Sequence, residues 1–150
     1  MKERKVILIL LALWVFLLCG CSGTATTVSD QEKIEATIEN CFKALFSSDL
    51  EEARSYLVPG GPLDTRLNSL YEQGAELIEP LAPCEITADT ELISVEINGN
   101  RAEAVLSSIE ICATCPGQAE PSCFPFRPSQ GDATFQLEKH DGKWLIYDVI

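Results

Sequence analysis

The hydrophobic period of this chain changes once, near Cys84, and the change divides it into a helical part and a β part. Before it, Ile34, Ile38, Cys41, Phe42 and Leu45 recur at helical spacing. Ser29 with Glu32 three residues on makes a capping box, which predicts a helix from there to about Ser47. Asp49, with Glu52 at the matching offset, starts a second, shorter helix whose apolar side is Leu50, Ala53 and Leu57. Pro59-Gly60-Gly61 stops it, because proline pushes Val58 out of helical geometry. Pro62 suits the first turn of a third helix, with Leu63, Leu67, Leu70, Gly74 and Leu77 on its buried side and Pro80 at its end.

After Cys84 the period is two. Ile93, Val95 and Ile97 alternate with Ser94 and Glu96, Asn98-Gly99 signals a hairpin, and a return strand runs over 100–111. A second hairpin closes the chain: Ala133, Phe135 and Leu137 lead to Asp141-Gly142, and 144–150 comes back. Between them, Pro116, Pro121, Pro125 and Pro128 predict an irregular stretch over 112–132. Three helices followed by a meandering antiparallel sheet are an α+β arrangement.

Length and charge narrow the function. The 150 residues suffice for one domain, 46% are apolar and 23% charged, and the formal net charge is -12. So acidic a chain repels phosphate backbones, so nucleic acid is not an expected partner. His140 is the lone histidine, which excludes a multi-histidine zinc centre and a serine-histidine triad by any other histidine. No cofactor is expected.

Residues 1–21 differ from the rest. Lys2, Arg4 and Lys5 precede an unbroken apolar run of 13 residues over 6–18. A spanning helix needs about 20 residues and a signal core about 7–15. The run ends in Leu18-Cys19-Gly20-Cys21, which resembles a bacterial lipoprotein signal: Leu18 three before the cut, Gly20 just before it, Cys21 the acylated thiol. The resemblance implies removal of 1–20 as a signal peptide, thioether lipidation of Cys21 with further acylation (a palmitate-type chain) of the new amino terminus, and a lipid bilayer as partner. An uncleaved anchor helix is the competing reading, against which the run is short. Residues 21–30 then form a short tether to a domain at 31–150. The chain after residue 20 has 8 basic and 22 acidic side chains. That charge pushes the domain off anionic lipid. The expected location is extracytoplasmic, at the outer face of a cell membrane or, in a Gram-negative cell, the outer membrane.

The leading helix, Asp49-Leu50-Glu51-Glu52-Ala53-Arg54, the Pro62-started helix and the closing Asp141-Gly142-Lys143-Trp144-x-Ile146-x-Asp148-Val149 resemble the nuclear-transport-factor-2-like superfamily over 31–150. That group includes SnoaL-like proteins and ketosteroid isomerase. The resemblance implies a curved, cone-shaped (cystatin-like) sheet around the helices with an apolar cavity, into which the isomerase projects a carboxylate base and an oxyanion-binding acid.

Of seven cysteines, Cys19 leaves with the signal and Cys21 is lipidated. Cys41 lies on the apolar face of the first helix as a small buried hydrophobe. Cys84, Cys112, Cys115 and Cys123 allow three disulfide connectivities. A two-residue Asn98-Gly99 loop sets Cys84 opposite Ala113, and a loop one residue longer sets it opposite Thr114. The favoured pairing is Cys84–Cys112 with Cys115–Cys123. One C-x-x-C in an oxidising compartment argues for disulfides over a four-thiolate metal site, and Pro116-Gly117 offers no helix start for a catalytic redox pair.

Catalytic candidates are Asp148 and Tyr56. A two-residue Asp141-Gly142 turn pairs Leu137 with Ile146 and Phe135 with Asp148, on one face with Trp144 and Ile150. A carboxylate there is a general acid-base candidate, against a rim position facing solvent. Tyr56 and Tyr71 offer phenols at helical positions where packing also explains them. Asp64 suits the dipole of the third helix's first turn. Phe124 and Phe126, on a stapled loop, either close a pocket or meet a partner, or fold back on the sheet; Trp144 is a third aromatic contact candidate. Three functions follow. One is a non-catalytic domain holding a small apolar ligand or an envelope protein, the favoured reading. The second is a SnoaL-like isomerase or cyclase using Asp148 or Tyr56. The third is a structural homodimer of the cell envelope.

Overall fold

The computed structural model describes residues 28–72, 83–127 and 131–150. The expected signal, Cys21, most of the tether, Gly74, Leu77, Pro80 and Pro128 lie outside the described residues.

Helix α1 (Asp30–Phe46) starts as its caps require: Glu32 N–H donates to Ser29 Oγ (3.2 Å) and Ser29 N–H to Glu32 Oε2 (2.7 Å). Its buried stripe is Ile34, Ile38, Cys41 and Ala44. Helix α2 (Leu50–Ser55) is capped by Asp49, whose Oδ1 accepts from Glu52 N–H at 2.9 Å. Helix α3 (Pro62–Glu72) begins with proline, where the missing N–H costs no helical bond. Between α2 and α3, Val58 N–H donates to Ile146 O (2.9 Å) and Ile146 N–H to Tyr56 O (2.8 Å), so this segment covers an edge of the sheet.

The sheet comprises β1 (Glu85–Asn98), β2 (Arg101–Thr114), β3 (Ser122–Phe126), β4 (Ala133–His140) and β5 (Lys143–Val149). Its order is β1-β2-β4-β5, all antiparallel, with β3 pairing β2 alongside β4. Helix α1 packs against both β1 and β5, the ends of that path. Those strands would stand roughly 14 Å apart in a flat sheet, and a helix is only about 10 Å across, so the sheet curls around α1. The core is Ile34, Ile38 and Cys41 of α1 against the inward residues of the strands. The fold class is α+β, as expected.

The Asp141-Gly142 turn forms as expected, both residues at positive φ (49° and 82°) and His140 paired with Lys143. The first hairpin differs. Asn98 pairs with Arg101, so the loop is Gly99-Asn100, with Gly99 at φ 63° as in a glycine-first turn. The register moves with it: Glu85 pairs with Thr114, and Cys84 falls opposite Cys115. The disulfides are accordingly Cys84–Cys115 and Cys112–Cys123, correcting the favoured pairing. All four cysteines are bridged, so they leave no thiolate for a metal, and Cys41 is free and buried.

Two further expectations change. The 112–132 stretch is not all irregular: β2 runs to Thr114, and β3 forms an edge strand that tolerates Pro125 because it pairs on one side only. In the last hairpin Leu137 pairs with Ile146, but Phe135 faces Val149 instead of Asp148, because Tyr147 is a bulge and shifts everything after it by one face.

Candidate functional site

The inward residues of β2 are Ala102, Ala104 and Leu106, then Ile109, Ile111 and Ala113. Strict alternation breaks between the two triplets, where Ser107 bulges against β1. Ile93 bulges in the facing strand and restores the register, so both strands bend at one place. At the same place β2 changes its other neighbour. Residues 101–106 pair with β4 and residues 109–113 with β3, and Ser107-Ser108 pairs with neither. The gap between β3 and β4 opens on a cavity of about 520 Å³.

Its floor is Cys41, Phe42 and Leu45 of α1. Leu106, Ser108 and Ile109 come from the bend of β2, and Phe126 and Arg127 from the end of β3. Ala133 and Phe135 of β4, Ile146 and Val149 of β5 and Leu63 of α3 close the rest. None of these residues is a carboxylate. The Phe42 ring lies 5.8 Å from Phe126 at a tilt of 50° and meets Phe135 edge-on at 6.1 Å, and Phe46 meets Phe124 at 5.7 Å. Phe124 and Phe126 thus fold back on α1, and Phe126 is also a cavity wall; both stay exposed, at 38% and 47%.

Burial pushes the Cys41 thiol up to about 12, so it is inert as a nucleophile at neutral pH. At the bend, the hydroxyls of Ser107 (2.7 Å) and Ser108 (3.1 Å) donate to Glu91 Oε2. These bonds, helped by Arg127, hold the Glu91 carboxyl below its ordinary value.

The catalytic candidates sit elsewhere. Asp148 accepts from Arg66 Nη2 and from the Val149 N–H (2.8 Å), and it does not line the cavity. Tyr56 is the C-cap of α2, with its hydroxyl on Glu52 Oε1 at 3.4 Å; burial, then Glu52, raises its pKa. Trp144 is 2% exposed, lies under Lys139 Nζ at 5.2 Å and belongs to the core. Asp64 is structural: it accepts from Gly60 N–H (2.9 Å) and Arg54 Nε (2.9 Å), and the Gly60 bond, then Arg54, lowers its pKa. The structure brings Tyr56 and Trp144 together in a separate surface pocket with Lys33, Asn40 and Lys143, but Asp148 lies outside it and none of the three lines the cavity. Sequence reasoning missed Ser108, Arg127 and Val149, although the Ser107-Ser108 break in β2's alternation was a readable sign of a bulge.

No protein-family model matches this chain, and no curated protein does. A crystal structure of an NTF-2-like protein of unknown function from Shewanella oneidensis MR-1 is similar, with a TM-score of 0.51. The two are 12% identical, and the match covers 81% of this chain and 97% of that one. Helices first, then an open antiparallel sheet curled around the leading helix over an apolar cavity: this chain has the nuclear-transport-factor-2-like fold.

Proposed function

We propose that the chain is a lipid-anchored extracytoplasmic lipoprotein whose domain holds a small apolar ligand. The observation that carries the ligand half is the cavity. Its volume of about 520 Å³ falls in the range that takes small organic ligands, and among the described residues its lining is apolar apart from Ser108 and Arg127. A described lining that is apolar and holds no carboxylate supports binding over the acid-base isomerase alternative, which needs polar groups converging on the substrate.

The anchoring half rests on Leu18-Cys19-Gly20-Cys21 after the 13-residue apolar run. Several acyl chains on Cys21 give stable attachment where one would be marginal. Both halves are tested on protein purified with its membrane from an expressing bacterium. Intact mass spectrometry should show residues 1–20 removed and a diacylglyceryl adduct on Cys21, both lost in Cys21→Ser. Solvent extraction of the folded protein should yield an apolar compound in stoichiometric amount. A chain retaining Met1 refutes the anchor. Failure of any apolar compound to bind, in the extract or when added, refutes the ligand.

A further inference from the structure

Among the described residues, the cavity's two polar lining residues are neighbours. Ile109 pairs with Phe126, so one step along the same register brings Ser108 beside Arg127. Polarity is therefore gathered in one corner, at the gap between β3 and β4, and the rest of the described lining is apolar, with the Phe42 ring against both Phe126 and Phe135. An apolar cavity with one guanidinium at its mouth matches an amphiphile, not a uniformly apolar molecule.

Resting on the ligand reading above, we propose that the cavity takes a single-chain amphiphile with an anionic head, a carboxylate or a phosphate monoester. The head sits on the Arg127 guanidinium and the tail runs toward Phe42 and Phe135. Arg127 is exposed at the mouth and, among the described residues, makes no ion pair within 4.0 Å. Its planar fork suits either oxyanion. Glu91 is the nearby acid that must be weighed. It stands on β1, paired with Ser108; its carboxylate accepts from Ser107 and Ser108 and feels the Arg127 charge without reaching ion-pair distance of it, so the guanidinium keeps its donors for a ligand. The net charge of -12 opposes distant anions, but beyond about 8 Å it is screened at physiological salt, and the Arg127 contact acts inside that distance. A cationic head would meet Arg127 directly. An alcohol would forgo the charged contact.

The test uses the full chain in nanodiscs of zwitterionic lipid and four dodecyl probes with a photoreactive diazirine near the tail end. Their heads are carboxylate, phosphate monoester, alcohol and trimethylammonium, and peptide mass spectrometry locates the label. The expected result is labelling of the Phe42–Leu45 region by at least one anionic probe, about tenfold above the ammonium probe at equal subsaturating concentration. Whichever anion labels more is the native head class. Arg127→Gln should remove that advantage and leave the alcohol's labelling unchanged, and Arg127→Glu should turn the preference toward the ammonium. Arg127 is exposed, and unchanged thermal unfolding of both variants excludes misfolding as the cause. Equal labelling by all four heads, unmoved by Arg127→Gln, overturns the head assignment and leaves cavity occupancy standing. No label in the cavity from any probe overturns both.

Discussion

Removing the two disulfides separately should cost stability in a fixed order and should affect the cavity in the opposite order. Cys84–Cys115 closes a separation of 31 residues and Cys112–Cys123 one of 11. Loop-closure entropy then assigns them about 3.7 and about 2.8 kcal/mol, a difference of about 0.9 kcal/mol that depends only on the ratio of loop lengths. Cys112–Cys123 is the fastening of β3, a five-residue edge strand that carries Phe124 and Phe126 and includes Pro125, which has no N–H to donate. If the full 2.8 kcal/mol resisted detachment of β3 alone, its loss would raise the open population up to about a hundredfold. Cys41 reports that opening, because its thiol is buried on the cavity floor. The assay is guanidinium unfolding of Cys84→Ala/Cys115→Ala and Cys112→Ala/Cys123→Ala under non-reducing conditions, with the rate of Cys41 alkylation measured in native buffer. The first pair should lose more global stability, and the second should speed alkylation more. Peptide mapping that finds Cys84–Cys112 in the parent protein refutes the register on which this rests. Alkylation of Cys41 that does not accelerate without Cys112–Cys123 refutes the role of β3 as the cavity wall.

Four other outcomes are expected. Asp64 is held below its ordinary pKa by Gly60 and Arg54, so its contribution is complete above the unfolded aspartate value, near 4, and fades as pH falls through the folded one; Asp64→Asn should flatten the acid limb of a stability-pH curve. Glu39 has the reverse sign: desolvation raises it, so its ionised form costs stability at neutral pH and that cost is relieved on acidification. Glu39→Gln, which keeps an oxygen for Thr90, should stabilise the protein at pH 7 and lose that advantage near pH 4, read by thermal unfolding. Asp148→Asn should cost no more than about 1 kcal/mol, since the Arg66 side of the pair is largely exposed, and should leave cavity labelling by the dodecyl probes unchanged. Gly99→Ala should cost about 1 kcal/mol or more in denaturant unfolding, because Gly99 sits at φ 63°, whereas Asn98→Ala should be close to neutral.

Much of the fold was legible because its signals are local. Ser29 and Glu32, Asp49, and Pro62 each mark a helix start through one or two bonds made within a turn, and no distant contact alters them. Asp141-Gly142 was read correctly for the same reason: both residues adopt positive φ, and the turn alone sets the pairing of Leu137 with Ile146. Gly99 was misplaced by one residue because Asn98-Gly99 and Gly99-Asn100 are both acceptable hairpin loops, and only the strands on either side choose between them. The choice moved Cys84 from Ala113 or Thr114 to Cys115 and so decided the disulfides.

The cavity was not legible because it exists where regular pairing fails. Counting along an ideal hairpin gives Asp148 an inward position and leaves β2 a single uninterrupted alternation. One extra residue at Tyr147 turns Asp148 away and Val149 in, and one at Ser107 bends β2 where its partner changes from β4 to β3. A bulge is a small local departure, of one residue in a strand, yet it exchanges the face of every residue beyond it. The residues that looked catalytic by counting are therefore structural here: Asp148 anchors Arg66 of α3, and Trp144 fills the core. Ser108 and Arg127, ordinary in the sequence, acquire a site only because two strands diverge between them and β4. The physical lesson concerns faces more than types. In a curled sheet the bulges decide which side chains share a cavity, and the broken alternation Leu106-Ser107-Ser108-Ile109 is where this chain declares one.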